Sequence, residues 1–308
     1  MRPSTTAILL LARHPGLREA LSRYRLVETP HDIALPACRV AVLSSLTPFG
    51  AEDMDRCPDL GLIVTIGAGS ERIDHAAARA RRIRIETGAG ANAEDVADLA
   101  LGLLLAVIRR LPSGDARVRE GTWRSGELQP IRSFGRRRIG IMGMGAIGSA
   151  VSRRLPPFGC EIGWTGPRSK PEIPFRYFPS LMELARWSDA LIVAAPLNEV
   201  TAGAIGRPAI DALGPGGVVV NVGRGGIVDE PALIAALREG RLAGAGLDVF
   251  AIEPTPPESW RGVPNVLLSP HAGAATFEAQ ERLVACAVRH VIDFLGPLMR
   301  IDSRPDPS

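Results

Sequence analysis

The sequence predicts an α/β protein made of two doubly wound parallel sheets. Two observations carry this. Short apolar runs alternate with amphipathic ones from Thr6 to about Glu86, and the same alternation resumes from about Arg137 to Leu268. Strands separated by helices pair in parallel, with helices covering both faces. The length of 308 residues suffices for two domains with separate cores, and 46% apolar with 22% charged residues is a globular composition. The expected division is residues 1–96 with the return of 283–308, and residues 97–282.

In the first domain Ala7–Ala12, Arg39–Leu43, Leu60–Thr65 and Ile83–Glu86 read as strands. Pro15–Tyr24, Ala51–Arg56 and Ile73–Ala80 have helical spacing. Asn92–Leu111 reads as a strong helix, with Asn92 as its cap, Glu94 and Asp95 in the first turn, Arg109–Arg110 in the last and Pro112 as the stop. Its all-round apolar character predicts burial. Leu111–Phe134 lacks periodicity and carries Pro, Gly and Ser, so it reads as a connecting arm.

The second domain opens with RRIGIMGMGAIGS, residues 137–149. Ile139–Met142 is a glycine-bounded apolar run, Gly143, Gly145 and Gly148 form G-x-G-x-x-G, and Ala146–Leu155 continues as a helix. A strand, a tight turn and a helix whose first N–H groups face a pyrophosphate make a dinucleotide-binding turn of Rossmann type. Further strands are expected at Glu161–Thr165, Ala190–Ala194, Gly217–Val222, Ala243–Asp248 and Val266–Leu268. Asp229 can cap a helix Glu230–Glu239 that has Pro231 in its first turn and Gly240 at its end. Phe277–Leu295 reads as a long amphipathic helix returning to the first domain, and Arg300–Ser308 as a frayed tail.

The net charge is +3, and no block of like charges stands out. Arg136–Arg138, the densest basic run, reads as a solvated strand entrance, so nucleic acid is not expected as a partner. Four scattered cysteines, Cys38, Cys57, Cys160 and Cys286, with no C-x-x-C, argue against a metal site and for a reducing compartment. The N-terminus has no secretory pattern, and Leu99–Ile108 is about half a membrane span, so a soluble cytoplasmic protein is expected.

Ligands of doubly wound sheets lie at the carboxyl ends of the strands. Three polar groups follow three successive strands there: Arg224 in NVGRGGIVDEPAL, Glu253 in AGAGLDVFAIEP and His271 in LLSPHAGAAT. Arginine offers a forked, permanently charged donor to a carboxylate. Histidine can give a proton to a carbonyl oxygen as hydride arrives, and glutamate can orient the imidazole. The set suits reduction of a 2-keto acid.

Over nearly its whole length the chain resembles the D-isomer-specific 2-hydroxyacid dehydrogenases. The matching blocks are TIGAGSERID (65–74), VADLALGLLLAVIR (96–109), GTWR (121–124), the Gly-rich turn, PLNEVT (196–201) and the three blocks above. The resemblance implies a flavodoxin-like substrate domain and a Rossmann cofactor domain. It implies His271 as proton donor, Glu253 as its partner, and Arg224 as anchor of the substrate carboxylate and carbonyl. It further implies Ala68 and Gly69 as backbone ligands of that carboxylate. On the cofactor side it implies Gly143, Gly145, Ala146, Ile147 and Gly148 at the pyrophosphate, and Pro196 and Thr201 along the dinucleotide. Val222, Gly223, Asp248 and Gly273 would then lie near the nicotinamide. Relatives are typically homodimers joined through the cofactor domain, which points to Leu99–Phe134.

Two departures set finer expectations. Ser70 stands where the family commonly has an aromatic residue, which alters the pocket wall. An NAD enzyme places an acid about twenty residues past the Gly-rich turn, for the ribose 2′-hydroxyl. Here Thr165 and Gly166 stand instead, followed by Pro167, Arg168, Ser169 and Lys170. Many NADP-using relatives have an arginine at the position of Pro167, so the basic residue is shifted by one. Arg168 and Lys170 would pair with a 2′-phosphate, so NADP(H) is the expected cofactor and NAD(H) the other candidate. Glyoxylate and hydroxypyruvate are the expected substrates. The rival readings are a dehydrogenase of a larger or phosphorylated acid such as D-3-phosphoglycerate, and a dinucleotide-sensing corepressor-like protein.

Overall fold

The computed structural model describes residues 7–29, 35–124 and 130–296. Its contacts divide the chain at Asn92/Ala93 and again at Ala275/Thr276. Both divisions fall a few residues before the expected 96/97 and 282/283. The reason is that each helix belongs whole to one unit: Ala93, Val96 and Ala97 are buried in the second core, whereas Ala279 and Leu283 are buried in the helix that closes the first.

The first unit runs β1 (Ala7–Leu10), α1 (Pro15–Ala20), β2 (Arg25–Val27), β3 (Cys38–Ser44), α2 (Ala51–Asp55), β4 (Leu62–Ile66), α3 (His75–Ala80) and β5 (Arg84–Thr87). The strands pair in parallel in the order β2-β1-β3-β4-β5. Side chains alternate across a strand, so β1, β3 and β4 each feed two cores. Ile8, Val40, Val42, Leu62 and Val64 meet Leu17, Leu21, Ala287 and Val291 on one face. Ala7, Leu9, Ala41, Leu43 and Ile63 meet Met54, Ile73 and Ala78 on the other.

The second unit begins with α4 (Ala93–Ile108) and α5 (Leu111–Arg119). It continues through β6 (Arg138–Met142), α6 (Ala146–Arg154), β7 (Glu161–Thr165), β8 (Arg176–Tyr177), α7 (Leu181–Trp187), β9 (Ala190–Val193) and α8 (Arg207–Leu213). It ends with β10 (Val218–Asn221), α9 (Glu230–Arg238), β11 (Gly244–Leu247), α10 (Pro257–Trp260) and β12 (Val266–Leu268). The chain then enters α11 (Phe277–Leu295) of the first unit. The seven parallel strands are ordered β12-β11-β10-β9-β6-β7-β8. The order reverses between β6 and β9, and the Gly-rich turn leaves β6 at that switch point. Parallel sheets of this kind bind ligands there.

Burial of α4 is as expected, with nine of its residues in the core. It lies against β10, β11 and α6. Glu94 and Asp98 stay on its open side, where Arg154 reaches both at 2.6 Å and Arg153 reaches Glu94 at 2.5 Å. Two expectations about this helix fail. The Asn92 Oδ1 atom is buried without a hydrogen-bond partner among the described residues, so it does not cap α4. Pro112 does not merely stop the helix: Arg110 breaks it at φ 52°, and Pro112 then sits in the first turn of α5, where proline's missing N–H costs nothing. The expected arm is therefore partly helical, and its residues 125–129 lie outside the described ones. The tail from Arg300 also lies outside the described residues. No helix among the described residues is long and apolar enough to cross a membrane.

Candidate active site

The Gly-rich turn takes its shape from two of its three glycines. Gly143 has φ +96°, and a Cβ there would lie 2.7 Å from the Ala195 backbone. A Cβ on Gly148 would lie 2.0 Å from the Gly143 carbonyl oxygen, so only glycine lets α6 start so close to β6. Around Gly145, by contrast, a Cβ would meet nothing within 4 Å. Gly145 precedes α6 with no side-chain hydrogen bond, and of the next two residues Ala146 is exposed and Ile147 half-buried against the core. The first N–H groups of a helix have no partner within it, so this open end offers donors and a positive dipole to an anion.

The first five residues after β7, Gly166–Lys170, include no acid; the nearest, Glu172, comes seven positions past the strand. Pro167, Arg168 and Ser169 are exposed, while Lys170 is half-buried and its Nζ donates to the Met144 carbonyl at 2.8 Å. The only lysine of the chain is thus moored to the Gly-rich turn itself. Tyr177 holds the same loop by donating to the Gly166 carbonyl at 3.1 Å.

Past β9, the Thr201 hydroxyl donates to the Pro196 carbonyl at 2.7 Å and accepts from the Asn198 N–H at 2.8 Å. It closes the loop it stands on. Past β10, the fully buried Asn221 braces the turn through Val222 and Gly223: Gly223 N–H donates to its Oδ1, and its Nδ2 donates to the Arg224 carbonyl, both at 3.0 Å. A polar residue ending the apolar run VVVN was the one signal for this brace.

Glu253 and His271 meet. Glu253 Oε2 lies 2.8 Å from His271 Nδ1, and Glu253 Oε1 accepts from the Phe250 N–H at 3.0 Å. An ionised carboxylate can only accept, so Nδ1 carries the shared hydrogen and Nε2 is the nitrogen left for other chemistry. His271 has φ +54°, a left-handed conformation rare outside glycine. Asp248 holds that turn in place. The His271 N–H donates to the Asp248 carbonyl at 2.9 Å. The Asp248 carboxylate accepts from Ser269 Oγ at 2.6 Å, Ala272 N–H at 2.7 Å and Gly273 N–H at 3.0 Å. The family resemblance implies Asp248 and Gly273 near the nicotinamide; in the structure the two are bonded to each other within the turn that carries His271.

Arg224 begins the next turn, and its Nη1 donates to the Gly223 carbonyl at 2.8 Å. The Arg224 turn and the Glu253 loop are pressed together, since a Cβ on Gly225 would lie 1.8 Å from the Phe250 carbonyl carbon. Ala68 and Gly69 stand in the first unit, after β4, where Gly67 turns the chain at φ +111°. His75 Nε2 and the Ile73 N–H both reach the Ser70 carbonyl, at 3.0 Å each. The second sheet therefore brings Arg224, Glu253 and His271 to the carboxyl ends of β10, β11 and β12, the same edge as the Gly-rich turn.

Residues 101–273 match the D-isomer specific 2-hydroxyacid dehydrogenase NAD binding domain. A hydroxyphenylpyruvate reductase of Plectranthus scutellarioides is 43% identical over 79% of this chain and 78% of its own. The chain belongs to the D-isomer specific 2-hydroxyacid dehydrogenase family. A glyoxylate/hydroxypyruvate reductase of Arabidopsis thaliana is 42% identical over 81% of this chain and 80% of its own. The NADPH-dependent glyoxylate/hydroxypyruvate reductase of Sinorhizobium meliloti, solved with NADP and malonate, superposes with a TM-score of 0.87 at 33% identity, covering 95% and 94% of the two chains.

The chain is thus an NAD(P)-dependent D-2-hydroxyacid dehydrogenase. The open face at Gly145 and the uncapped start of α6 fit the pyrophosphate of such a cofactor. As in other members of this enzyme class, the reaction moves hydride between nicotinamide and the carbon bearing the hydroxyl or keto oxygen.

Proposed function

We propose that this dehydrogenase works as an NADPH-dependent reductase of small 2-keto acids, glyoxylate and hydroxypyruvate foremost, and forms the D-2-hydroxy acid. The observation that carries the reading is the 2.8 Å contact between His271 Nδ1 and Glu253 Oε2. With Nδ1 turned to the carboxylate, Nε2 delivers the proton to the keto oxygen, and Glu253 stabilises the imidazolium before delivery. Arg224 binds the substrate carboxylate and polarises the carbonyl; a guanidinium does both because its fork carries a fixed charge and several donors. Ala68 and Gly69 give their N–H groups to the same carboxylate. Asp248 keeps the His271 turn in register through its bonds to Ser269, Ala272 and Gly273.

The Gly143–Gly148 turn, with Ala146 and Ile147, takes the pyrophosphate. Pro196, Thr201, Val222 and Gly223 line the dinucleotide towards its nicotinamide end. Arg168, Ser169 and Lys170 face the 2′-phosphate. The absence of a carboxylate at the end of β7, from Thr165 through Lys170, supports NADPH, as an acid there would repel that phosphate. The relative from Sinorhizobium meliloti holds NADP. A homodimer through segment 99–134 is part of this reading. It is supported by α5, which buries none of its residues, and by Leu111, Val118 and Trp123, each more than half exposed.

One plate tests the function. Purified protein is assayed with NADPH and NADH against glyoxylate, hydroxypyruvate, pyruvate, phenylpyruvate and 3-phosphohydroxypyruvate. The expected result is fastest turnover of the two small acids with NADPH. Preference for NADH, or for the phosphorylated acid, overturns the corresponding part. Dinucleotide binding without turnover on any acid would favour a sensing protein.

A further inference from the structure

The loop that carries Glu253 hangs from a second carboxylate. The Ala251 N–H donates to Glu230 Oε1 at 2.6 Å, and the neighbouring Phe250 N–H donates to Glu253 Oε1 at 3.0 Å. Two consecutive amides thus end on two different glutamates, and the second of these reaches His271. Glu230 is the first residue of α9, yet that helix has its cap already, since the Asp229 carboxylate accepts from the Ala232 N–H at 3.0 Å. The Glu230 side chain instead crosses to a loop 21 positions away in sequence. The same segment is butted against the Arg224 turn at Gly225.

We propose that Glu230 is a positioning residue, whose carboxylate holds the Phe250–Glu253 loop so that Glu253 presents Oε2 to His271. The proposal rests on the reading that Glu253 and His271 act as a pair. Glu230 acts by fixing a backbone, so what matters is an acceptor oxygen at the right reach, not the charge. A contribution to the α9 dipole would depend on charge and not on reach. The two roles therefore rank substitutions in opposite orders. Glu230→Gln keeps an acceptor oxygen at the same reach without charge. Glu230→Asp keeps the charge and withdraws the oxygen by one methylene. Glu230→Ala removes both.

The test measures reduction of hydroxypyruvate by NADPH, thermal melting, and hydrogen exchange of the segment 249–253 in the protein without substrate. Expected are kcat and exchange within about twofold of the parent for Glu230→Gln. For Glu230→Asp and Glu230→Ala, kcat falls about five- to tenfold, as for one lost backbone–carboxylate bond, with KM for NADPH unmoved and faster exchange in the segment. In a Glu253→Gln background, Glu230→Ala should cost less than about twofold more, because the two act in series. If Glu253→Gln itself leaves kcat unchanged, the pair reading falls. If Glu253→Gln lowers kcat while Glu230→Ala alters neither kcat nor exchange, or lowers kcat equally in both backgrounds, the assignment of Glu230 falls and the pair stands. Activity that follows charge, with Asp close to the parent and Gln low, also overturns it. Should the alanine variant fail to fold, the Asp and Gln variants decide.

Discussion

At the scale of single residues, each role ties to one atom and one partner. Glu253→Gln keeps an acceptor on the Phe250 N–H but takes the charge away from His271, so kcat for reduction should fall about tenfold or more while KM for NADPH stays. Steady-state kinetics checks this. Arg224→Lys replaces a fork by a point charge, and KM for the keto acid should rise about tenfold. An unchanged KM would place the anchor elsewhere. Gly148→Ala puts a methyl 2.0 Å from the Gly143 oxygen, which α6 can relieve only by moving off β6. NADPH affinity should drop more than about tenfold, together with the melting temperature, by titration calorimetry and thermal melting. These residues were legible because glycine spacing and a polar group after a strand are local signals. Asn221, Glu230 and Ser269 were not, since each looks like an ordinary strand end, helix start or loop residue. Only the chain folded back on itself shows what they hold.

At the scale of elements, β6 is joined to its neighbourhood by a carboxylate on another segment. Asp189 accepts from the Arg138 N–H at 2.8 Å, with the Arg138 guanidinium at 3.4 Å and Arg132 at 3.5 Å. Burial opposes its ionisation, but the bonds from Arg138 and the charge of Arg132 outweigh that and hold its acidity below the usual carboxylate range. A carboxyl depressed in the folded state stabilises the fold above its unfolded value and loses that contribution as pH falls through the folded one. Asp189→Asn should therefore destabilise by about 1–3 kcal/mol at neutral pH, and the difference should shrink below about pH 4. Parallel denaturation curves at the two pH values measure it. The strands Glu161–Thr165 and Val266–Leu268 and the helix Phe277–Leu295 have the bounds their periodicity predicts. Arg25–Val27 and Arg176–Tyr177 escaped because edge strands so short carry no period, and Ile8 and Leu26 are paired by the sheet, not by local preference. The glycines of β11 weaken it as a strand on paper. In the fold they let α4 lie close, since a Cβ on Gly246 would stand 2.9 Å from that of Leu103.

At the scale of the whole molecule, the proposed dimer gives a plain prediction. Light scattering should return twice the mass of the 32.7 kDa chain, and Val118→Asp together with Trp123→Ser should shift it towards one copy. A single-copy mass for the parent protein would remove the proposal. The alternation of apolar and amphipathic runs was enough to declare two parallel sheets, because burying a strand on both faces demands that pattern whatever the neighbours are. The Gly-rich turn, and the three polar groups after three strands, likewise followed from the chain alone, since backbone freedom and strand ends are properties of short segments. The boundaries at Ala93 and Thr276, the unpartnered Oδ1 of Asn92 among the described residues and the bond from Lys170 to Met144 did not. Nor did the tie from Asp248 to the His271 turn, or from Glu230 to the Glu253 loop. Each of these depends on how residues far apart in sequence pack together. Which distant carboxylate a backbone amide finds is settled only when packed helices and strands bring the two within hydrogen-bonding reach.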